Sequence, residues 1–400
     1  MDVLPKNPLF CYPMNIAPSF VKTVNGSTKS KVDPGYWDTV LNLYESGRYK
    51  DTVVGIIHYV DPELAEKTGS DDQSSFVIPH GSAVIHIDIK NDHLYVKAPF
   101  LSAANASKIP LLRQVAQINF SPLNLARIVL EKDQLAFTYN CPLDLCEPYK
   151  MYEVFREICL YADAYDDEFI KKFGAKWLQE PIIKPYEQEV KSQIWKQVQL
   201  YVKEAQDYIS YFETKRSLGY CWDILNITLM KIEYYANPQG ILRSEIEKQI
   251  SFLQGESQLN DKVSRGKEFL VKLQNYEQQE FEEDLYEAQT FIPYKYRSTL
   301  ENIRSNFEES YQTARKERDG GDHMGATLSM TYIFFKLFYF NNVPDEISHL
   351  VANAMVKASG KTWQQASDHL WGAMHKIMTE DIKARKGKKG KGFLRSLFKK

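Results

Sequence analysis

Ser82–Phe100 reads SAVIHIDIKNDHLYVKAPF, and its alternation is that of an antiparallel hairpin. Ile85, Ile87 and Ile89 fall on one side of an extended chain, with His86 and Asp88 on the other. After Asn91-Asp92, a pair that tolerates a tight turn, the alternation returns as Leu94, Val96 and Ala98. One face is apolar and one is wet, so a layer of helices must cover the apolar side. Working outward, a polar connection, KTGSDDQSS, precedes the hairpin. Before that, DPGYWDTVLNLYESGRYKDTVVGIIHYVDPEL reads as two helices broken at Gly47: Trp37, Val40, Leu41 and Tyr44 share one face, and Val53, Val54, Ile57 and Val60 resume the pattern. After the hairpin, Ile109, Leu112, Val115 and Ala116 are spaced as in a helix. LARIVL and QLAFTYN flank a turn at 131–133 and predict a second hairpin. Val154, Ile158, Tyr161, Ala162, Tyr165 and Phe169 then return to helical period. The order predicts an α+β domain over 33–180, an antiparallel sheet with packed helices, after a flexible lead-in at 1–32 that shows no clear period.

The segment APFLSAANASKIPLLRQVAQINFSPLNLARIVLEKDQLAFTYNCPLDL, followed by a helix ending in ADAYDDEF, resembles the YbjN-like, type III secretion chaperone-like fold. The resemblance covers roughly residues 35–178. It rests on a helix ending in Asn119-Phe120, a hairpin, an exit containing Pro142, and a long helix with Asp163 near its end. These are packing and turn features, and the resemblance implies a protein-binding or regulatory domain with no catalytic residues to transfer. The helical hairpin before the sheet, and everything after Pro185, depart from a minimal member of the group.

Pro181 and Pro185 mark a boundary, because two prolines break helix continuity. Beyond it the pattern predicts an all-α domain over 186–380, a bundle or stacked helical hairpins. Helices are expected near 186–216, 218–236, 241–254, 262–289, 294–318, 322–340, 344–358 and 361–380. The most apolar window, Met324–Phe340, holds Lys336 and falls short of the roughly 20 residues that a bilayer core needs, so a buried bundle helix is expected there. Gln274–Glu287 is strongly acidic and reads as a solvated helical face, with an acceptor surface for a basic partner as the sharper alternative.

Little points to catalysis. The chain has no Walker A or dinucleotide-binding glycine pattern, no HExxH and no GxSxG. DGGDHMG, Asp319–Gly325, lacks the strand-to-helix context of a phosphate loop and suits a link between helices with Asp322 as the cap of the second. Alternation places His86 on the polar face of the hairpin and His93 across its turn, beside Asp88, and a metal site there lacks a third ligand. Asp368, His369 and His375 do not share a helix face. Asp163, Asp166, Asp167 and Glu168 could form a metal or acid–base group, and a wet helix end with Lys171 and Lys172 is the favoured reading. The five cysteines, Cys11, Cys141, Cys146, Cys159 and Cys221, suggest reduced, mostly buried thiols, and the spacing of Cys141 and Cys146 does not suit a zinc knuckle. No cofactor is expected. The N-terminus does not show a basic region followed by a long apolar stretch, and a cytoplasmic setting is expected.

The net charge of −2 conceals an asymmetry. KARKGKKGKGFLRSLFKK, Lys383–Lys400, holds nine Lys or Arg and no acid, so the remainder carries about −11. Gly387, Gly390 and Gly392 keep Lys383, Arg385, Lys386, Lys388, Lys389 and Lys391 in an extendable tether. Beyond it, Phe393, Leu394, Leu397 and Phe398 span about 140° of a helix, opposite Arg395, Ser396, Lys399 and Lys400. This 381–400 tail is similar to the short amphipathic membrane-targeting tails of bacterial cell-division site-selection and actin-like tethering proteins. Partial burial of four large side chains yields roughly 3–6 kcal/mol and each cation near an anionic surface about 1, from which helix ordering removes several kcal/mol. One copy should bind weakly, and a second contact or a homo-oligomer would firm the attachment. The reading is a non-catalytic, chaperone-like adaptor that binds a protein partner and sits peripherally on anionic membrane, at its inner face. A protein groove, nucleic acid, or an enzyme with a site in an interdomain cleft are the alternatives.

Overall fold

A computed structural model of the chain describes residues 15–23 and 31–382. The expected helical hairpin is α1 (Trp37–Glu45) and α2 (Tyr49–Val60), turned at Gly47 with φ 73°, a left-handed conformation that a residue without Cβ adopts freely. A short α3 (Leu64–Thr68) leads to β1 (Ser75–His80), β2 (Ala83–Lys90) and β3 (His93–Ser102). Then come α4 (Lys108–Phe120), β4 (Arg127–Glu131), β5 (Gln134–Pro142), α5 (Pro148–Phe173) and a short β6 (Lys176–Trp177). The sheet runs β1-β2-β3-β5-β4, every pair antiparallel, with β6 beside β3.

The inner face is the one the alternation names. Ile85, Ile87, Leu94, Val96 and Ala98 are buried, joined by Phe76 and Ile78 of β1 and Phe137 of β5. Against them lie Ile56 and Ile57 of α2 and Val154, Phe155 and Ile158 of α5, in one continuous core. At about 1.5–3 kcal/mol for each fully buried large side chain, this face alone accounts for the cohesion of the layers. Helix α5 is delimited by local chemistry. Glu147 accepts a hydrogen bond from Lys150 N at 2.8 Å, Pro148 opens the first turn, and Gly174 ends the helix at φ 70°.

From Ile183 onward the chain forms β7 (Ile183–Pro185), α6 (Gln188–Thr214), α7 (Leu218–Ala236), α8 (Gly240–Gln254), α9 (Leu259–Gln274), α10 (Gln278–Glu283) and β8 (Tyr286–Ala288), which pairs with β7. Four more helices follow: α11 (Leu300–Asp319), α12 (His323–Phe340), α13 (Asp345–Ala358) and α14 (Trp363–Thr379). The fold class is therefore an α+β region with an antiparallel sheet, followed by a helical region. The expected continuous helix at 262–289 is corrected: it breaks after Gln274 and ends in a strand. Tertiary hydrogen bonds outweigh the periodicity there, because Asp284 is turned to accept from Leu242 N at 2.7 Å and to receive Gln239 N on its carbonyl at 2.8 Å, capping α8. The helix expected from 294 begins at Leu300, where the Thr299 hydroxyl caps Asn302 N at 3.2 Å.

The chain divides into two compact units. One comprises Thr23–Gln206 and Thr228–Arg297, and so contains the sheet, α8, α9 and α10. The other takes in Asp207–Ile227, the chain from Ser298 onward, and the described residues before Thr23. In the second unit α12 is buried almost all round, and its Thr327 and Thr331 hydroxyls donate to carbonyls one turn back. No helix among the described residues is long and apolar enough to cross a membrane. Ala17 and Phe20 are buried in this unit, where Ala17 N donates to Lys361 O at 2.7 Å and Phe20 N to Ser359 Oγ at 2.9 Å.

Candidate functional site

The residues that carry the sequence resemblance fasten backbone. Strand β4 lies at the sheet edge, and Asn119 near the end of α4 lays its amide along it: Nδ2 donates to Ile128 O at 2.9 Å and Oδ1 accepts from Ile128 N at 2.7 Å. The side chain thus takes the place of a neighbouring strand at that residue. Glu157 of α5, 2% exposed, accepts from Asn124 N, Leu125 N and Ala126 N at 2.9, 3.0 and 2.9 Å. Those three amides belong to the loop between α4 and β4, which has no ladder to satisfy them.

Asp163, Asp166 and Asp167 correct the expectation of a wet helix end. Asp166 is buried, and the turn between β1 and β2 closes over the group. Gly81, at φ 57°, approaches so closely that a Cβ there would lie 1.8 Å from Asp163 Oδ1. Ser82 N donates to the same oxygen at 2.7 Å, Ser82 Oγ lies 3.1 Å from it and also bonds Asp166, and the Tyr294 hydroxyl donates to Asp163 Oδ2. Burial and the adjacent carboxylates raise Asp166 well above the usual carboxylate range. One hydroxyl proton cannot serve two acceptors, so protonated Asp166 donates to Ser82 Oγ, which donates on to Asp163. Burial also raises Asp167 to about 6 and Asp284 to about 7. Between these last two sits Gly240, whose Cβ would meet each carboxylate at 2.6 Å.

Cations and aromatics complete the group. The Arg243 guanidinium lies 3.5 Å from the Tyr294 ring centroid and pairs with Glu247 at 2.8 Å. His80, fully buried, accepts from Phe291 N on Nδ1 at 3.1 Å, and burial lowers it to about 4, so it is neutral. The adjoining cavity, lined by Ser82, Phe100, Asp166, Trp177 and Gln179 among others, has room for about one water. Asp163, Asp166 and Asp284 spend hydrogen bonds on Ser82, Tyr294 and backbone amides, which makes the cluster a clasp joining α5, α8 and the β1–β2 turn, while His80 Nε2 is buried without a hydrogen-bond partner among the described residues. The Glu168 expectation holds: Glu168 pairs with Lys172 at 2.8 Å, whereas Lys171 reaches Glu280.

The surface offers a different feature. Helix α4 has two apolar faces. Leu111, Val115 and Ile118 are buried, and on the opposite side Ile109, Leu112, Ala116 and Phe120 fall within an arc of about 80°. Ile109 is 69% exposed, Leu112 39% and Phe120 90%. In the sequence Ile109, Leu112, Val115 and Ala116 have a helical spacing, and spacing alone does not say which of two apolar stripes turns inward.

The remaining sequence candidates separate. The β2–β3 register sets His86 opposite Lys97 and His93 opposite Lys90, so the two imidazoles do not face each other. Asp322 caps α12 as expected, its Oδ1 accepting from Gly325 N at 2.8 Å. Within the acidic stretch, Glu282 and Asp284 turn inward, correcting the reading of a wholly solvated face; Glu282 accepts from Gln188 at 2.6 Å. Asp368 pairs with Arg318 at 2.8 Å and His375 Nδ1 lies 2.8 Å from the Tyr311 hydroxyl, two separate contacts. The tail residues Lys383, Arg385, Lys386, Lys388, Lys389, Lys391, Phe393, Leu394, Arg395, Leu397, Phe398, Lys399 and Lys400 lie outside the described residues. No protein-family model matches the chain, and no curated protein matches it.

Proposed function

We propose that the protein is a non-catalytic, chaperone-like adaptor that engages a protein partner through the outer stripe of α4 and associates peripherally with anionic membrane through its basic amphipathic tail. The observation that carries the first half is the exposed row of Ile109, Leu112, Ala116 and Phe120 on a helix whose opposite face is already committed to the core. Burying its three large side chains offers roughly 4–8 kcal/mol before association costs, enough for a reversible complex with an apolar helix of the partner. The second half rests on the sequence pattern of 383–400, in which a cationic tether precedes an apolar helical stripe.

Two measurements test the reading separately. A photo-crosslinking amino acid at position 120 should capture one dominant protein in the producing cells, and Ile109→Ser should abolish the adduct. An unchanged adduct pattern would end the partner assignment. For the tail, co-sedimentation of the full chain with phosphatidylserine vesicles should be strong at low salt and weak at high salt. It should also be lost on removal of 383–400; equal pelleting without those residues refutes the membrane role.

A further inference from the structure

Strand β5 ends in Asn140-Cys141-Pro142, a 3₁₀ turn follows over Leu143–Leu145, and Cys146 precedes the capping Glu147 of α5. The turn folds the chain back so that Cys141 Sγ and Cys146 Sγ stand 3.6 Å apart, with Cys146 Sγ also 3.7 Å from the Pro142 carbonyl. Both thiols are free, Cys141 7% exposed and Cys146 fully buried. Their surroundings differ in chemistry. The hydrogen-bonded contact with Cys146 lowers Cys141, the Tyr139 hydroxyl does so too, and Lys150 and His93 add positive charge; together these hold it down at about 6 against the opposing effect of burial. Cys146, facing that sulfur in an apolar setting, is pushed up. Cys159 is raised well above its usual value by burial, and Cys221 Sγ lies 3.8 Å from the Ile209 carbonyl.

We propose that Cys141 and Cys146 form a peroxide-reactive dithiol, in which Cys141 is the nucleophile and Cys146 the resolving thiol, giving a disulfide that ties the end of β5 to the start of α5. In the first step the Cys141 thiolate attacks one oxygen of hydrogen peroxide. An S–O bond forms, the O–O bond breaks, and the departing hydroxide takes a proton to leave as water. In the second, Cys146 sulfur attacks the sulfenic sulfur; the S–S bond forms, the S–O bond breaks, and hydroxide leaves with the Cys146 proton as a second water. Two thiols and one peroxide become one disulfide and two waters. The sulfurs must close from 3.6 Å to the roughly 2 Å of a disulfide, a movement that falls on the short turn carrying Cys146. The inference is independent of the adaptor reading.

The test uses the full chain, folded, exposed to hydrogen peroxide and then alkylated without reduction. Peptide mapping should find Cys141 joined to Cys146, and the intact mass taken before alkylation should fall by two hydrogens while near-ultraviolet circular dichroism stays native. Cys146→Ser should stop at a sulfenic acid on Cys141 that dimedone traps, and Cys141→Ser should leave Cys146 unmodified. The rate of Cys141 alkylation in the wild-type chain should level off above about pH 6 and fall roughly tenfold per pH unit below it. A native protein that forms no Cys141–Cys146 linkage overturns the proposal. So does a Cys146 that reacts equally fast in Cys141→Ser, or an alkylation rate still rising at pH 8.

Discussion

Replacing Asp167 by Asn should stabilise the protein, and only at neutral and higher pH. Asp167 is largely withdrawn from water, with Asp163 nearby, and those two influences raise it from 3.8 to about 6. In the unfolded chain the carboxyl loses its proton near its ordinary value, while in the folded chain it does so near 6. Between those values the folded state binds more protons, so stability falls as pH rises through the window and stays lower above it. Two pH units at about 1.4 kcal/mol each give about 3 kcal/mol, reduced to about 2 because water still reaches part of the group. Asn is neutral at every pH, so the advantage of Asp167→Asn over wild type should be near zero at pH 4 and about 2–3 kcal/mol at pH 7.5. Urea denaturation at a series of pH values, followed by circular dichroism, measures it. An advantage that does not change with pH, or a loss at pH 7.5, would refute the view of these carboxylates as a clasp enclosed by Gly81, Ser82, Gly240 and Tyr294.

Two further substitutions probe the polar fasteners. Glu157→Ala removes the acceptor of three loop amides and should cost about 3–5 kcal/mol, whereas Glu157→Gln, which keeps one oxygen, should cost about half as much. Hydrogen exchange at Asn124, Leu125 and Ala126 should accelerate in both, and unchanged protection there would remove the assigned role. Lys231 and Glu204, each with a side chain 2% exposed, pair at 2.7 Å, and the ammonium lies 4.1 Å from the Tyr201 ring centroid. Lys231→Met should cost about 3–5 kcal/mol by removing the ammonium that pairs with buried Glu204, and adding Glu204→Leu should recover most of that loss. A double variant no better than the single one would contradict the pairing energetics.

What was legible in the sequence followed from periodicity. Ile85, Ile87 and Ile89 against Leu94, Val96 and Ala98 give the central hairpin because a two-residue repeat with a wet face has one good solution. The boundaries of α7 and α12 could be read because Gly, Asn and Asp signals coincide with the ends of apolar periods. Strand β1 was hidden by the polar stretch before it and by Pro79, which weakens any strand reading; its pairing at the sheet edge tolerates the proline. The carboxylate clasp was illegible for a different reason. Asp163 and Asp166 meet Gly81 and Ser82 across 81 to 84 residues of chain and Tyr294 across 131, and no local pattern encodes such a distance. The Lys231–Glu204 pair did leave a hint, because Lys231 and Glu233 within ITLMKIEYY are charges in an otherwise apolar run and call for buried partners.

The two faces of α4 separate stability from recognition, and that separation is itself measurable. Val115 is buried against the sheet, so Val115→Ser exchanges core contact for an unpaired hydroxyl and should cost about 2–3 kcal/mol. Phe120, at 90% exposure, contributes almost nothing to the fold, so Phe120→Ser should leave stability within about 0.5 kcal/mol of wild type. If the outer stripe is a recognition surface, that same silent change should weaken partner capture at least tenfold, because an aromatic side chain already presented to solvent carries little ordering cost on binding. Both quantities come from one purified pair of variants, by urea denaturation and by crosslinking from position 116. A Phe120→Ser protein that loses stability would mean the ring is covered in the folded chain, and one that keeps full capture would move the recognition surface off α4.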